Sequence, residues 1–290
     1  MFAVAGVSGR VGGAIAESLF KQDRKFRVIV RDEAKGAIWK QRGAEVAVAS
    51  LGDAAGLTEA LRGARAAFLL LPPDYGADDL LAAQRPVADA IAAAVEASGI
   101  FHLVLLSSMG AWLDEGTGPI VALHHLERVT RKTARSITIL RGAYFLENWL
   151  PGLEPARKQG VLPSFLTPGR PLQMVATRDL ARVAAEQLER PEHGRRIIEL
   201  SGPKEFTPED MAREVGTVLG RKVRVEAAPL DAVVPAFMAG GASRGSAELL
   251  RQMIDALNRG VIAPDPLRAV QRRGELGPAE VFERALEAVR

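Results

Sequence analysis

Gly6-Val7-Ser8-Gly9-Arg10-Val11-Gly12-Gly13 decides how the rest of the chain is read. It follows the apolar run Phe2–Ala5 and opens the amphipathic stretch Val11–Phe20, which sets Val11, Ile15, Ser18 and Leu19 on one side. Glycine at 6 permits a tight turn. At 9 it lets backbone N–H groups approach a pyrophosphate, and at 12 it lets the next helix pack against the strand. That helix points the partial positive charge of its N-terminus at the phosphates. A glycine triplet alone is a weak signal. Here a second strand pattern, Phe26–Val30, follows at the right distance, so the stretch reads as the phosphate cradle of a dinucleotide-binding βαβ unit.

Outward from the cradle, short apolar runs recur at Glu45–Ala49, Ala66–Leu71, Phe101–Leu106 and Ile137–Leu140, with helical patterns such as Asp78–Ala97 between them. Runs this short and this continuously apolar suit parallel strands buried on both faces. Their alternation with helices predicts an α/β fold, a Rossmann-type doubly wound parallel sheet. Beyond Arg141 the rhythm changes. Pro and Gly are dense from Pro151 to Pro171, and a strand pattern at Leu172–Ala176 leads into a helix that Thr177 can cap, with Asp179 in its first turn. Ile197–Leu200 reads as a further strand, and Thr207-Pro208-Glu209-Asp210 as a cap, a proline at the first helical position and acids after it. The tail from Asp231 to Arg290 reads as largely helical, broken at Gly240–Gly241, Pro264–Pro266 and Gly277–Pro278. The expected organisation is a dinucleotide-binding domain over 1–148, to which 172–200 returns. Residues 149–171 and 201–290 are expected to form a smaller, mostly helical substrate or cap lobe beside the strand ends, where ligands of such sheets bind.

Composition narrows the classes. The 290 residues are 48% hydrophobic and include no cysteine. Disulfides, thiolate metal sites and a cysteine nucleophile are excluded, and a cytoplasmic setting is expected. The net charge of +3 is spread among acids, as in Arg182, Glu186, Glu189 and Arg190, which describes a solvated surface rather than a nucleic-acid face. No apolar run approaches the ~20 residues that span a bilayer. The chain begins inside a strand pattern, so no secretory leader is expected.

The second strand ends Val28-Ile29-Val30-Arg31-Asp32, where an adenine ribose would lie. An acid at the tip would take the 2′-hydroxyl of NAD and repel a 2′-phosphate. The tip residue is Arg31, Lys35 follows one turn later, and Arg10 sits in the glycine loop close to the same place. Cations around one anionic group favour NADP(H) over NAD(H). Asp32 complicates this and either pairs with Arg31 or caps the next helix.

At this point the sequence resembles the NmrA-like family of atypical short-chain dehydrogenase/reductases. The stretches that carry the resemblance are the glycine loop, R-D-E-A-K (Arg31–Lys35), A-L-R-G-A-R-A-A-F-L-L-L-P-P (Ala60–Pro73) and L-V-L-L-S-S (Leu103–Ser108). More distinctive are I-L-R-G-A-Y-F-L-E-N (Ile139–Asn148), V-A-T-R-D-L-A-R-V-A (Val175–Ala184) and E-L-S-G-P-K (Glu199–Lys204). The resemblance implies that Gly6, Ser8, Gly9, Arg10, Val11 and Gly12 hold the pyrophosphate, and Arg31 and Lys35 the 2′-phosphate. Ser50 and Leu51 would border the adenine, although the family commonly has Asp where Ser50 stands. Leu71, Pro72 and Pro73 would pass near the nicotinamide ribose, and Ser107 and Ser108 near the nicotinamide. Tyr144 and Phe145 would form the substrate side.

The chain departs from the wider superfamily in its catalytic pair. Tyr-x-x-x-Lys supplies a proton and holds the ribose there. Of the two tyrosines here, Tyr75 is followed by Gly-Ala-Asp-Asp and Tyr144 by Phe-Leu-Glu-Asn. The helix expected to carry the pair offers His124 and His125, which point about 100° apart on a helix. His124 and Ser107 are the candidate proton donors, against the plainer readings of packing and of capping a strand end. Trp112 is a candidate cover for the nicotinamide, against a plain anchor. Glu147 and Asn148 are expected to order the backbone after the sixth strand, and Asp179 to brace a helix. No metal site is expected. Two functions stand: an NADPH-dependent oxidoreductase of small electrophiles such as quinones or azo and other aromatic compounds, and a non-catalytic NADP(H) sensor acting through a protein partner. The expected partner is a small-molecule substrate, not nucleic acid or membrane; a homo-oligomer or a regulatory protein partner stays open.

Overall fold

The computed structural model describes residues 1–287. The last three residues of the expected helical tail, 288–290, lie outside the described residues. The first half runs β1 (Phe2–Ala5), α1 (Arg10–Lys21), β2 (Phe26–Val30), α2 (Ala37–Gln41), β3 (Glu45–Val48), α3 (Ala54–Leu61), β4 (Ala66–Leu70), α4 (Leu80–Ser98), β5 (His102–Ser108), α5 (Ile120–Val129) and β6 (Ser136–Gly142). The second half runs β7 (Tyr144–Phe145), α6 (Leu153–Gln159), β8 (Val161–Ser164), β9 (Leu172–Val175), α7 (Thr177–Glu189), β10 (Gly194–Ser201), β11 (Glu205–Phe206), α8 (Pro208–Leu219), β12 (Arg224–Ala227), α9 (Val233–Ala239), α10 (Arg244–Arg259), β13 (Val270–Arg273) and α11 (Pro278–Glu287).

Eight strands form one sheet in the order β13-β10-β6-β5-β4-β1-β2-β3. Every pairing in it is parallel, with Val4 of β1 opposite both Val28 and Phe68. The order reverses between β1 and β4, so the crevice that receives ligands in such sheets opens above Gly6 and Leu71. Alternate strand residues feed two cores. Val4, Val28, Phe68, Val104 and Leu140 pack under α1 and α7, against Ile15, Leu19, Leu180 and Val183. Ala3, Ile29, Leu69, Leu103 and Ile139 pack under α3, α4 and α5, against Leu57, Ile91, Val95 and Leu126. Helices on both faces are what apolar two-faced strands require.

A third core gathers Leu146, Trp149, Leu162, Met174, Phe206, Met211 and Phe282 in the smaller lobe. The strand read at Leu172–Ala176 forms as β9, but it joins β7 and β11 in a separate three-stranded sheet. The tail also differs from a purely helical lobe. Val270-Gln271-Arg272-Arg273 returns to the large sheet as its edge strand, parallel to β10.

The helix caps follow local chemistry. Asp79 starts α4 by accepting from Ala82 N at 3.0 Å. Thr207 and Asp210 form a reciprocal capping box on α8. The start of α7 is a correction. Thr177 is its first helical residue and makes no cap; the Glu147 carboxylate accepts from Thr177 N at 2.9 Å and from its Oγ1 at 2.5 Å. Asp179 braces the tail by accepting from Glu275 N and Leu276 N, each at 2.9 Å.

Candidate functional site

The glycine loop has the close packing its spacing predicts. Gly6 turns with φ +68°, and Gly9 N donates to Gly6 O at 2.9 Å. A Cβ on Gly12 would lie 2.4 Å from Gly6 O and 2.5 Å from Ala5 O, so only glycine lets α1 start this close to β1. Gly9 precedes α1 without any side-chain cap, which leaves the first-turn N–H groups open to a ligand. Ser8, Gly9 and Arg10 are exposed beside them, and Val11 is buried. The cradle is therefore shaped and polarised for a pyrophosphate.

At the end of β2, Arg31 and Lys35 are exposed, and neither has an ion-pair partner among the described residues. Asp32 does not neutralise Arg31. Its carboxylate caps the turn Glu33–Gly36 by accepting from Ala34 N at 3.0 Å. Arg10 is exposed at the start of α1. It opens onto a second cleft with Glu147, Thr177 and Arg178, on the α7 side of α1. Ser50 closes the turn after β3 by accepting from Gly52 N at 3.3 Å, with Leu51 half-buried beside it.

A cavity of about 500 Å³ lies beyond the ends of β4, β5 and β6. Leu71, Pro73, Ser107, Ser108, Tyr144 and Phe145 line it; Pro72 does not, and its carbonyl accepts from Gln84 Nε2 at 3.1 Å. The tail supplies the roof, through Met253 and Leu257 of α10 and through Gly260–Pro264. Sequence reasoning put this segment in the substrate-side lobe without naming which of its residues face the cavity. α10 is fastened over the strand ends where Ser243 N donates to Tyr75 O at 2.8 Å and Gly118 N to Gln252 Oε1 at 3.1 Å.

The candidate proton donors are differently placed. His124 does not line the cavity, which meets α5 at Ile120 and Leu123. Its Nδ1 lies 3.0 Å from Ala111 O, and His125 faces Asp89 at 2.7 Å. Ser107 donates its hydroxyl hydrogen to Glu127 at 2.7 Å, and Ser108 donates to Met109 O at 3.0 Å. Both hydroxyls therefore present only lone pairs to the cavity. Trp112 also lies outside the cavity lining and anchors the roof, with Nε1 donating to Ala263 O at 3.1 Å.

Tyr144 keeps its proton. Burial pushes its hydroxyl up to about 12, and the Asn148 side chain that hydrogen-bonds to it pulls the other way without prevailing. The residue four positions on, Asn148, is a neutral amide and not a lysine, so it supplies no cation to lower the phenol. Behind Ser107 stands a buried ionic cluster. Arg141 donates to both Glu127 oxygens at 2.8 Å, and to Glu199 and Asp265 at 3.2 Å. Asp265 N in turn donates to Glu199 at 2.8 Å, so the roof hangs from β6 and β10. No group of acids and histidines among the described residues forms a metal site, and no described helix is long and apolar enough to cross a membrane.

A model of the NmrA-like family matches residues 1–259. The chain is 31% identical over 243 residues, 82% of its length and 81% of the relative's, to the (4-alkanoyl-5-oxo-2,5-dihydrofuran-3-yl)methyl phosphate reductase of Streptomyces griseus. It is 24% identical over 253 residues, 87% of its length and 86% of the relative's, to the NAD(P)H azoreductase of Xenophilus azovorans. Among solved structures, an NADPH complex of an NADPH-dependent quinone oxidoreductase from Escherichia coli superposes with a TM-score of 0.82 at 23% identity, covering 99% of this chain and 100% of the other.

Proposed function

The chain belongs to the NmrA-like family, and on that premise we propose that it binds NADP(H) and reduces small conjugated electrophiles such as quinones and azo compounds. The single observation that carries the cofactor is the uncapped glycine cradle joined to a strand tip whose two cations have no partner among the described residues. In this reading Gly6–Gly12 hold the pyrophosphate and Arg31 and Lys35 the 2′-phosphate. When bound, the nicotinamide supplies a hydride equivalent. The three relatives above are named for a phosphate-bearing dihydrofuranone, for azo compounds and for quinones. These share an electron-poor conjugated system, which the apolar 500 Å³ cavity suits.

The chain's own residues then have separable tasks. Leu106, Ile120, Leu123 and Ile262 exclude water from the reacting face. Tyr144 holds a proton and can donate a hydrogen bond to a developing oxyanion or amide anion. Such products are stabilised by conjugation, so a phenol not acidified by lysine is a sufficient donor. Ser107 and Ser108 accept hydrogen bonds from an amide in the cavity. His124 takes no part, because it does not reach the cavity.

The test is to mix purified protein with NADPH and a panel of quinones and azo dyes, and to follow the nicotinamide absorbance. Multiple turnovers support the reductase. Tight NADPH binding without turnover, with a protein partner captured in one redox state only, would overturn it in favour of the sensor.

A further inference from the structure

Two charged side chains line the cavity, Arg170 and Glu205. Every other lining group is apolar or neutral. Glu205 is exposed at the rim, opposite Gln173 in the small sheet. Arg170 is half-buried, and no carboxylate among the described residues lies within ion-pair distance of it. The nearby acid that bonds its turn, Glu209, accepts from Gly169 N at 2.9 Å instead.

The position of Arg170 is fixed by its backbone. The turn before it is pinned where Thr167 N donates to Asn258 Oδ1 at 2.8 Å and Asn258 Nδ2 donates to Phe165 O at 2.9 Å. Arg170 N closes the turn onto Thr167 O at 3.3 Å. The guanidinium then lies across Gly260, where a Cβ would meet its Nη2 at 2.1 Å. Gly260 ends α10, and an arginine there has an ordinary explanation: it would serve the open carbonyls of the last turn. Two of those carbonyls, Ala256 O and Leu257 O, are already served. Gly260 N donates to Leu257 O at 3.0 Å and Val261 N to Ala256 O at 2.8 Å, and the guanidinium makes no hydrogen bond to either. A cation held in place at an apolar wall, without a counter-ion or acceptor, has its charge left for a ligand.

We propose that the electrophile taken by this cavity is an anion, a conjugated ring system carrying a sulfonate, carboxylate or phosphate that pairs with Arg170. This rests on the reductase reading for the reaction, but not for the binding. The guanidinium offers two parallel N–H donors to such a group, a match that neutral analogues lack. The apolar wall formed by Met253, Leu257 and Ile262 takes the rings.

The experiment compares 1,2-naphthoquinone with 1,2-naphthoquinone-4-sulfonate, in the wild type and in Arg170→Gln, with NADPH. The ratio of kcat/KM for the two quinones is compared between proteins, which cancels their intrinsic reactivity. Arg170→Gln is expected to lower kcat/KM for the sulfonate by 10- to 100-fold, through KM, and to change the neutral quinone less than threefold. Arg170→Lys should recover part of the loss. An unchanged ratio in Arg170→Gln overturns the proposal. If the wild type turns over neither quinone, the reductase reading fails, and calorimetry with naphthalene-2-sulfonate decides the anion site by itself. Binding to the wild type that weakens at least tenfold in Arg170→Gln supports it. No binding, or equal binding to both, overturns it. Should Arg170→Gln not fold, wild-type inhibition by naphthalene-2-sulfonate and by 2-naphthalenemethanol replaces it: tighter inhibition by the sulfonate, weakened by added salt, supports the site, and equal inhibition overturns it.

Discussion

Replacing Arg141 by Met removes the one fully buried cation from among three buried carboxylates, Glu127, Glu199 and Asp265. The remaining partner, Arg195, reaches Glu127 only at 3.5 Å and is half-exposed. Breaking a buried pair by deleting one partner costs about 3–5 kcal/mol, because a desolvated charge is left behind. Three acids depend on Arg141, so about 5 kcal/mol is expected at pH 7.5. A domain gains about 2.1 cal/mol/K per residue in unfolding entropy, or about 0.6 kcal/mol/K for 290 residues. The melting temperature should therefore fall by about 8 °C. The penalty also has a pH signature. In the parent, burial would raise the Asp265 carboxyl, but hydrogen bonds from Leu267 N, Arg141 and Arg268 N hold it below its usual value. That contribution is present above the ordinary carboxylate range and is lost only as pH falls through the depressed value. In the variant Asp265 loses the Arg141 donor but stays buried, so the penalty for uncompensated charge grows with pH and fades as protons are taken up. Melts of both proteins at pH 5 and pH 7.5 should show a gap that narrows at the lower pH. Glu127→Gln added to Arg141→Met should recover part of the loss. A gap under 2 °C at pH 7.5, or one that does not change with pH, would refute the assignment of the cluster as a charge-balanced brace.

Arg31→Ala should weaken NADPH binding by about 1.5–3 kcal/mol, with NADH binding unchanged; equal loss for both, by fluorescence titration, would place the 2′-phosphate elsewhere. Gly12→Ala forces a Cβ onto two backbone oxygens at 2.4 and 2.5 Å, so NADPH binding should vanish and stability should fall by about 1–3 kcal/mol. Tyr144→Phe should lower kcat about 100-fold at pH 7.5. The wild-type rate should show no tyrosine ionisation below pH 9, since the hydroxyl is pushed up to about 12; an unchanged kcat in Tyr144→Phe would remove it as donor. Glu147→Gln should cost about 1–3 kcal/mol in urea unfolding, because Thr177 N and Oγ1 lose a charged acceptor.

The parts of this fold that were legible in the sequence are those whose cause is local. The glycine loop, the six apolar strands through β6 and the Thr207 box each need only neighbours in the chain. β13 escaped because it is an edge strand. Its residues Val270-Gln271-Arg272-Arg273 are mostly exposed and have no apolar alternation, and only pairing with β10 makes them a strand. The residues that roof the cavity escaped for a related reason. They come from 253–264, which close over strand ends more than a hundred positions away. Thr177 looked like a cap because threonine often is one. The better acceptor, Glu147, lies 30 residues earlier. The placement of His124 turned on helix phase, since one step along α5 separates the lining residue Leu123 from it.

Charge is handled in opposite ways on the two sides of the cavity, and the difference separates structural from ligand-directed groups. Under the floor, Arg141 finds an acceptor for its donors within 3.2 Å, and the carboxylates it touches take further donors from Ser107, Gln271 and Asp265 N. A cluster so completed has nothing left to offer a ligand, and its consequence is mechanical. It sets the direction of the Ser107 hydroxyl and the height of the roof at Asp265 from the same guanidinium. A change at Arg141 should therefore disturb both walls of the cavity without altering the charge within it. Arg170 is the reverse case. Its backbone is held, and its side chain makes no hydrogen bond or ion pair among the described residues, so its removal should leave the walls standing and change only which molecules they accept.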